Sequence, residues 1–150
     1  MAVSYLDRRS LTASTMSEES KAIVALENLI KRQEQQCEKI LQELVTSREK
    51  TSHWAWWIFP TELPGMSEPA PKTFVNLTTA RCLLEKAEET GWSAVVIKLD
   101  ELIQEKGIHK VLPHIDHGRV QFFVEFWAQD EIIDKPKWLL DALDTFKKAK

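Results

Sequence analysis

His53 stands near the head of a run, Ser52-His53-Trp54-Ala55-Trp56-Trp57-Ile58-Phe59-Pro60, that holds three of the chain's six tryptophans. An imidazole against aromatic surface can act as a general base or a ligand donor, and clustered indoles can stack on a nucleobase or another flat ligand. A pocket of this kind would take Ser52, His53, Trp54 and Trp57 as its wall, with the loop from Thr61 to Pro71. Lys50 or Arg119 would receive an anionic group of the ligand. The competing expectation is a core plug, in which the indoles are buried for their apolar area and His53 bonds a loop carbonyl to fix the turn.

A second group is His109, His114 and His117 with Asp116. Imidazole and carboxylate are proper zinc ligands. Their spacing matches neither an HExxH helix nor a paired-cysteine motif, and Pro113 and Gly118 interrupt the segment. The expectation is a solvent-facing loop in which Asp116 or His117 caps the next helix, and no metal is assigned. Cys37 and Cys82 form no CxxC pair, there is no GxSxG elbow, and the four glycines build neither a phosphate-cradling loop nor a GxGxxG turn. No catalytic set is complete, so no catalytic residue and no cofactor is assigned, and the balance leans away from an enzyme.

These side chains need elements to position them. Ile23, Ile30, Cys37 and Leu44 recur every seven residues, with Leu26, Gln33 and Ile40 between them, which draws one apolar stripe along a long helix within 16–50. Thr15 with Glu18, and Ser17, supply caps at its start. The face bearing Lys31, Arg32, Glu34, Gln35, Glu38 and Lys39 is expected in solvent. The stripe suits a bundle inside the chain, the expected use because the repeat is short and carries a glutamine; a coiled-coil homodimer through 23–44 is the alternative. From Ser52 to Pro71, prolines and Gly65 forbid a continuous helix, leaving an aromatic turn and an irregular loop. A helix at about 76–90 closes at Gly91, and the sequon-like Asn76-Leu77-Thr78 reads as its start. The apolar segment from Ser93 to Lys106, closed by Gly107, is expected to be a central helix. Arg119–Trp127 is ambiguous: Val120, Phe122, Val124 and Phe126 alternate as in a strand, while the neighbouring segments read as helices. Pro136 opens an amphipathic helix with Leu139, Leu143 and Phe146 on one face and Lys147, Lys148 and Lys150 at its negative end, expected to lie as a lid.

The chain's 150 residues suffice for one buried core, with 1–15 read as an N-terminal arm and 16–150 as a single helical domain. A net charge of −3 offers no general attraction to nucleic acid or anionic lipid, and no apolar run approaches the roughly 20 residues of a bilayer span. Neither nucleic acid nor membrane is an expected partner. Two widely separated cysteines and the lack of a secretory signal fit a cytoplasmic protein.

The stretch SHWAWWIFP, after a long amphipathic helix and before a Gly-Pro loop, resembles the signature of domain-of-unknown-function family 1810. Bacterial members of that family are often labelled calpastatin automatically. The resemblance runs from about residue 20 to about 128 and leaves the C-terminal helix outside. It implies an all-helical single domain with no established activity. Thr61 stands where the family has Gln, and Phe74 where it has Tyr, the second change removing a polar group. Near Pro113 the family's acidic pair, Lys and Ser-Ser are replaced, and only Pro113 and Arg119 carry over.

The expected fold class is therefore all-α, a compact bundle of about five helices with the Trp-rich turn after the first long helix; α+β with a small sheet is the alternative. The expected function is a non-enzymatic binding or protein-interaction module. A pocket or enzyme for a nucleotide-like small molecule, built on His53 with Trp54, Trp56 and Trp57, is the alternative. The matching partners are a second copy of the chain, through 23–44, or that small-molecule ligand.

Overall fold

Ser17 sets the start of the first helix: its Oγ accepts the Ser20 N–H at 3.1 Å, and Glu18 and Glu19 follow at the positive end of the helix dipole. The computed structural model describes residues 17–149, so the arm assigned to 1–15 and the cap assigned to Thr15 lie outside the described residues. Helix α1 (Glu18–Ser47) ends where Arg48 turns into the left-handed region at φ 59°, its N–H closing on Leu44 O at 2.9 Å. That conformation is uncommon for a residue with a Cβ, and Lys106 holds it by donating from Nζ to Arg48 O at 2.9 Å.

Six further α-helices follow: α2 (Ala55–Ile58), α3 (Ala80–Glu85), α4 (Ala87–Thr90), α5 (Trp92–Lys106), α6 (His117–Trp127) and α7 (Lys137–Lys148). Two 3₁₀ turns, Ile108–Lys110 and His114–Asp116, precede α6. Among the described residues there is no strand, so the fold is all-α and the alternative with a sheet does not hold. The helices outnumber the expected five because the aromatic turn contains a helical turn of its own, α2, and the helix expected at 76–90 breaks at Lys86. Asn76 does begin that stretch: its Oδ1 accepts the Thr79 N–H, and Thr79 Oγ1 accepts the Asn76 N–H, both at 3.0 Å.

The segment 119–127 is helical, and its burial shows why. Val120, Phe123, Phe126 and Trp127 face inward at helical spacing, whereas Phe122, second in the apparent alternation, is exposed. Local β propensity yields here to packing, because a strand would have no partner edge.

Helix α5 is the central element, packing against α1, α4 and α7. Val95, Val96, Leu99 and Leu102 are fully enclosed. Gly91 joins α4 to α5 at φ 90°, where a Cβ would come within 3.0 Å of the Cys37 Cβ on α1. From the stripe on α1, Leu26, Gln33, Cys37, Ile40 and Leu44 are buried against this core, Ile30 is half-buried, and Ile23 remains exposed. Helix α7 covers α5 and α6 with Leu139, Ala142, Leu143 and Phe146, as a lid should. The aromatic centre is dense: Trp92 packs on Trp127 and Trp138 with ring centroids 5.5 and 5.4 Å apart, and Phe59 meets Phe123 edge-on at 5.5 Å.

Candidate functional site

The aromatic turn is wired into the protein. Trp54 and Trp57 are buried and Trp56 is half-buried, while Ser52 and His53 are exposed. Each of the three indoles donates to an internal acceptor: Trp54 to Glu43 Oε2 at 2.9 Å, Trp56 to Met66 O at 3.0 Å, and Trp57 to Glu68 Oε2 at 3.2 Å. The carbonyls of the turn are bonded from elsewhere in the fold. Gln33 Nε2 donates to Trp57 O at 2.9 Å, Trp92 Nε1 to Ile58 O at 2.9 Å, and Trp127 Nε1 to Pro60 O at 2.8 Å. A short turn inside a core leaves many carbonyls without helical partners, and these donors satisfy them. The ring faces are covered as well, with Trp56 5.4 Å from the Trp57 ring and the Arg32 guanidinium 5.2 Å above it.

Arg32 and Gln33 both depart from the sequence pattern. Arg32, expected in solvent, reaches Ala70 O at 3.0 Å as well as the Trp57 ring. Gln33, the one polar residue in the apolar stripe, also accepts from Thr90 Oγ1 at 3.2 Å and so bridges the turn to α4.

Downstream, residues 61–75 form a loop held at both flanks. Thr61 Oγ1 accepts the Leu63 N–H at 3.1 Å, and Val75 N–H returns to Thr61 O at 2.9 Å. Glu68 is buried and accepts from the Thr73 N–H at 3.1 Å, from the Thr73 hydroxyl and from Trp57. Arg119, on α6, donates from Nη1 to Leu63 O at 2.7 Å and from Nη2 to Trp56 O at 3.5 Å. Burial pushes its guanidinium below the ordinary value, with the Glu68 charge acting in the opposite sense. Gly65 is needed for contact: a Cβ there would run into the Trp56 ring. Of the five predicted site residues, Trp57 and Arg119 thus serve to hold this loop, Trp54 belongs to a second anchor, and Ser52 and His53 stand at the surface.

That second anchor is Glu43 on α1, whose Oε2 accepts the Thr51 N–H at 2.7 Å, the Ser52 N–H at 3.1 Å and the Trp54 indole. Partial burial pushes the Glu43 carboxyl up, but the hydrogen bonds from Ser52, Thr51 and Trp54 outweigh it and hold the group below its ordinary 4.5. Because the folded value lies below the unfolded one, the stabilisation is fully present above pH 4.5 and is lost as pH falls through the folded value. Urea denaturation of Glu43→Gln against the native protein should show a shallower loss of stability between pH 5 and pH 3 in the variant; parallel curves would remove Glu43 from the acid response.

Three histidines meet beside this anchor. The His117 ring lies 5.0 Å from His109 and 5.3 Å from His114, and its Nε2 donates to Leu112 O at 3.0 Å. Among the described residues, no group of three or more His, Cys, Asp or Glu side chains has the geometry to hold a metal ion. Neither Asp116 nor His117 makes a side-chain cap to α6; Asp116 instead pairs with Lys50 at 2.9 Å, both side chains nearly buried. The Lys50 ammonium also sits 5.4 Å over the Trp54 ring. Lys50, considered above as a receiver for a ligand's anion, therefore already has one within the chain. Burial pushes the Cys37 thiol up to about 12, which keeps it protonated and inert at neutral pH.

Two surface clefts have no indole in their walls. One of about 450 Å³ between α5 and α7 is lined by Asp100, Gln104, Asp141, Asp144 and Lys148 among others. The other, about 330 Å³, lies between the end of α1 and the 108–113 segment, with Lys50, Lys106, His109 and Lys110 on its wall. No helix among the described residues is long and apolar enough to cross a membrane.

A family model described as a protein of unknown function, DUF1810, matches residues 23–148. The match takes in α7, so the C-terminal helix lies inside the family's span and not outside it. No curated protein and no solved structure matches the chain.

Proposed function

The chain belongs to the DUF1810 family of proteins of unknown function, and from that premise we propose that it is a non-enzymatic protein-interaction module. Its contact surface is the apolar patch where the 61–75 loop meets α6. One observation carries this reading: Leu63, Met66, Ile115 and Phe122 are 59%, 90%, 87% and 53% exposed on the loop, on the turn before α6 and on α6. Arg119 and Phe122 are one helical turn apart on α6, Ile115 stands in the 3₁₀ turn just before it, and Arg119 bonds the backbone of Leu63. Apolar side chains gathered in this way mark an interaction surface more than isolated ones do.

The wiring of the turn supports the same reading. A loop that is only displayed needs no such anchoring, whereas a loop that must present side chains to a partner gains from a fixed backbone. Trp56, Trp57, Glu68 and Arg119 supply that rigidity. Glu62 and Glu125, at the rim of the patch, are exposed and form no ion pair among the described residues. The partner is accordingly a protein that presents an apolar face flanked by Lys or Arg.

A photo-crosslinking phenylalanine analogue placed at Phe122 in cells tests this. A discrete adduct is expected there and not from the same analogue at exposed Glu34 on α1. Met66→Asp should abolish the adduct, and Glu62→Lys with Glu125→Lys should weaken it, while stability stays within about 0.5 kcal/mol of the native protein. Adducts that ignore position, or that survive these changes, overturn the reading.

A further inference from the structure

The 330 Å³ cleft beside the histidine trio carries a separate inference, independent of the apolar patch. We propose that this cleft is a binding site for a compact dianion of the phosphate or sulfate type. Its volume lies at the small end of ligand sites, which run from roughly 300 to 1,000 Å³.

Charge within the cleft is unequally matched. Lys50 is paired with Asp116, and the neighbouring Arg48 with Glu105. Lys106, Lys110 and His109 then face Glu49 alone, in a chain whose net charge is −3. Lys106 gives one N–H to Arg48 O, which fixes the ammonium and leaves two donors for a ligand. Lys110 is exposed and has no ion pair among the described residues.

His109 completes the wall, packing on His117, which packs on His114, and the nearby carboxylate, Asp116, is committed to Lys50.

Sulfate is the probe of choice, because it carries two charges at neutral pH. Amide and histidine-ring NMR shifts of the full chain, titrated at constant pH with sodium sulfate against sodium chloride at equal ionic strength, should saturate at Lys106, His109 and Lys110. Lys110→Glu, at an exposed position that leaves folding intact, should weaken binding about tenfold or more. Glycerol 3-phosphate, added at pH 8, separates sources within the class: tighter binding than sulfate assigns an organic phosphate ester, and equal binding the free ion. Shifts that do not saturate, that chloride reproduces, or that persist in Lys110→Glu overturn the site.

Discussion

Trp57→Ala should lower the free energy of unfolding by about 3–5 kcal/mol, a large share of the 5–15 kcal/mol that holds a typical domain together. The indole is only 5% exposed and lies between Trp56, Arg32 and the 61–75 loop, so its removal opens a cavity that several rigid neighbours must line. It also takes one donor from the buried Glu68 carboxylate, which keeps Thr73. Trp57→Phe separates these effects: most of the packing stays, the N–H goes, and the expected cost falls to about 1 kcal/mol. His53→Ala should stay within about 0.5 kcal/mol, since the imidazole is exposed. Urea denaturation followed by circular dichroism reads all three. A neutral Trp57→Ala together with a costly His53→Ala would reverse the roles the structure assigns to these neighbours.

The expected contrast between two residues four positions apart shows where the sequence is legible and where it is not. Long-period features are readable: the stripe of α1, the density of apolar residues in α5 and the one-sided face of α7 each follow from helical spacing against a single core. Arg119–Trp127 is less so, because its β-branched and aromatic residues speak for a strand locally, and only the absence of a partner edge decides for a helix. The site was harder still. His53 and the indoles stand out by residue type, yet type does not tell an indole that stacks on a ligand from one that bonds Glu43 or Glu68 across the fold.

The residues that sequence reasoning missed are polar ones with distant partners. Glu43, Glu68 and Arg32 look like ordinary surface charges, and each acquires its role through a turn or a loop brought to it by folding, while Asp116, singled out beside the histidines, finds its partner in Lys50 instead. One usable signal was Gln33, a hydrogen-bonding side chain in an otherwise apolar stripe, which requires a buried partner somewhere. The tryptophan signature that carries the family resemblance accordingly acts first as an anchor. It fixes a loop whose exposed side chains, Leu63 and Met66, stand outside the signature itself.

The Lys50–Asp116 pair is the second place where a single substitution should cost most. Its side chains are 6% and 13% exposed, and the ammonium stands 2.9 Å from Asp116 Oδ2 and over the Trp54 ring. The contact is an ion pair without a well-directed hydrogen bond, since Asp116 Oδ2 has no partner in hydrogen-bonding geometry. Most of its strength is therefore Coulombic, and it opposes the desolvation of both charges. Lys50→Met leaves the carboxylate enclosed without its cation and should cost about 3–5 kcal/mol. Replacing both, as Lys50→Met with Asp116→Leu, removes the uncompensated charge and should restore stability to within about 1 kcal/mol of the native protein. The two single changes and the double change close a thermodynamic cycle whose coupling energy should exceed about 2 kcal/mol. If the double variant instead loses the sum of the two single losses, the charges do not act as a pair, and the join between the 48–54 segment and the 108–117 turns rests on the backbone bond from Lys50 N–H to Val111 O, 2.7 Å long, and on Trp54.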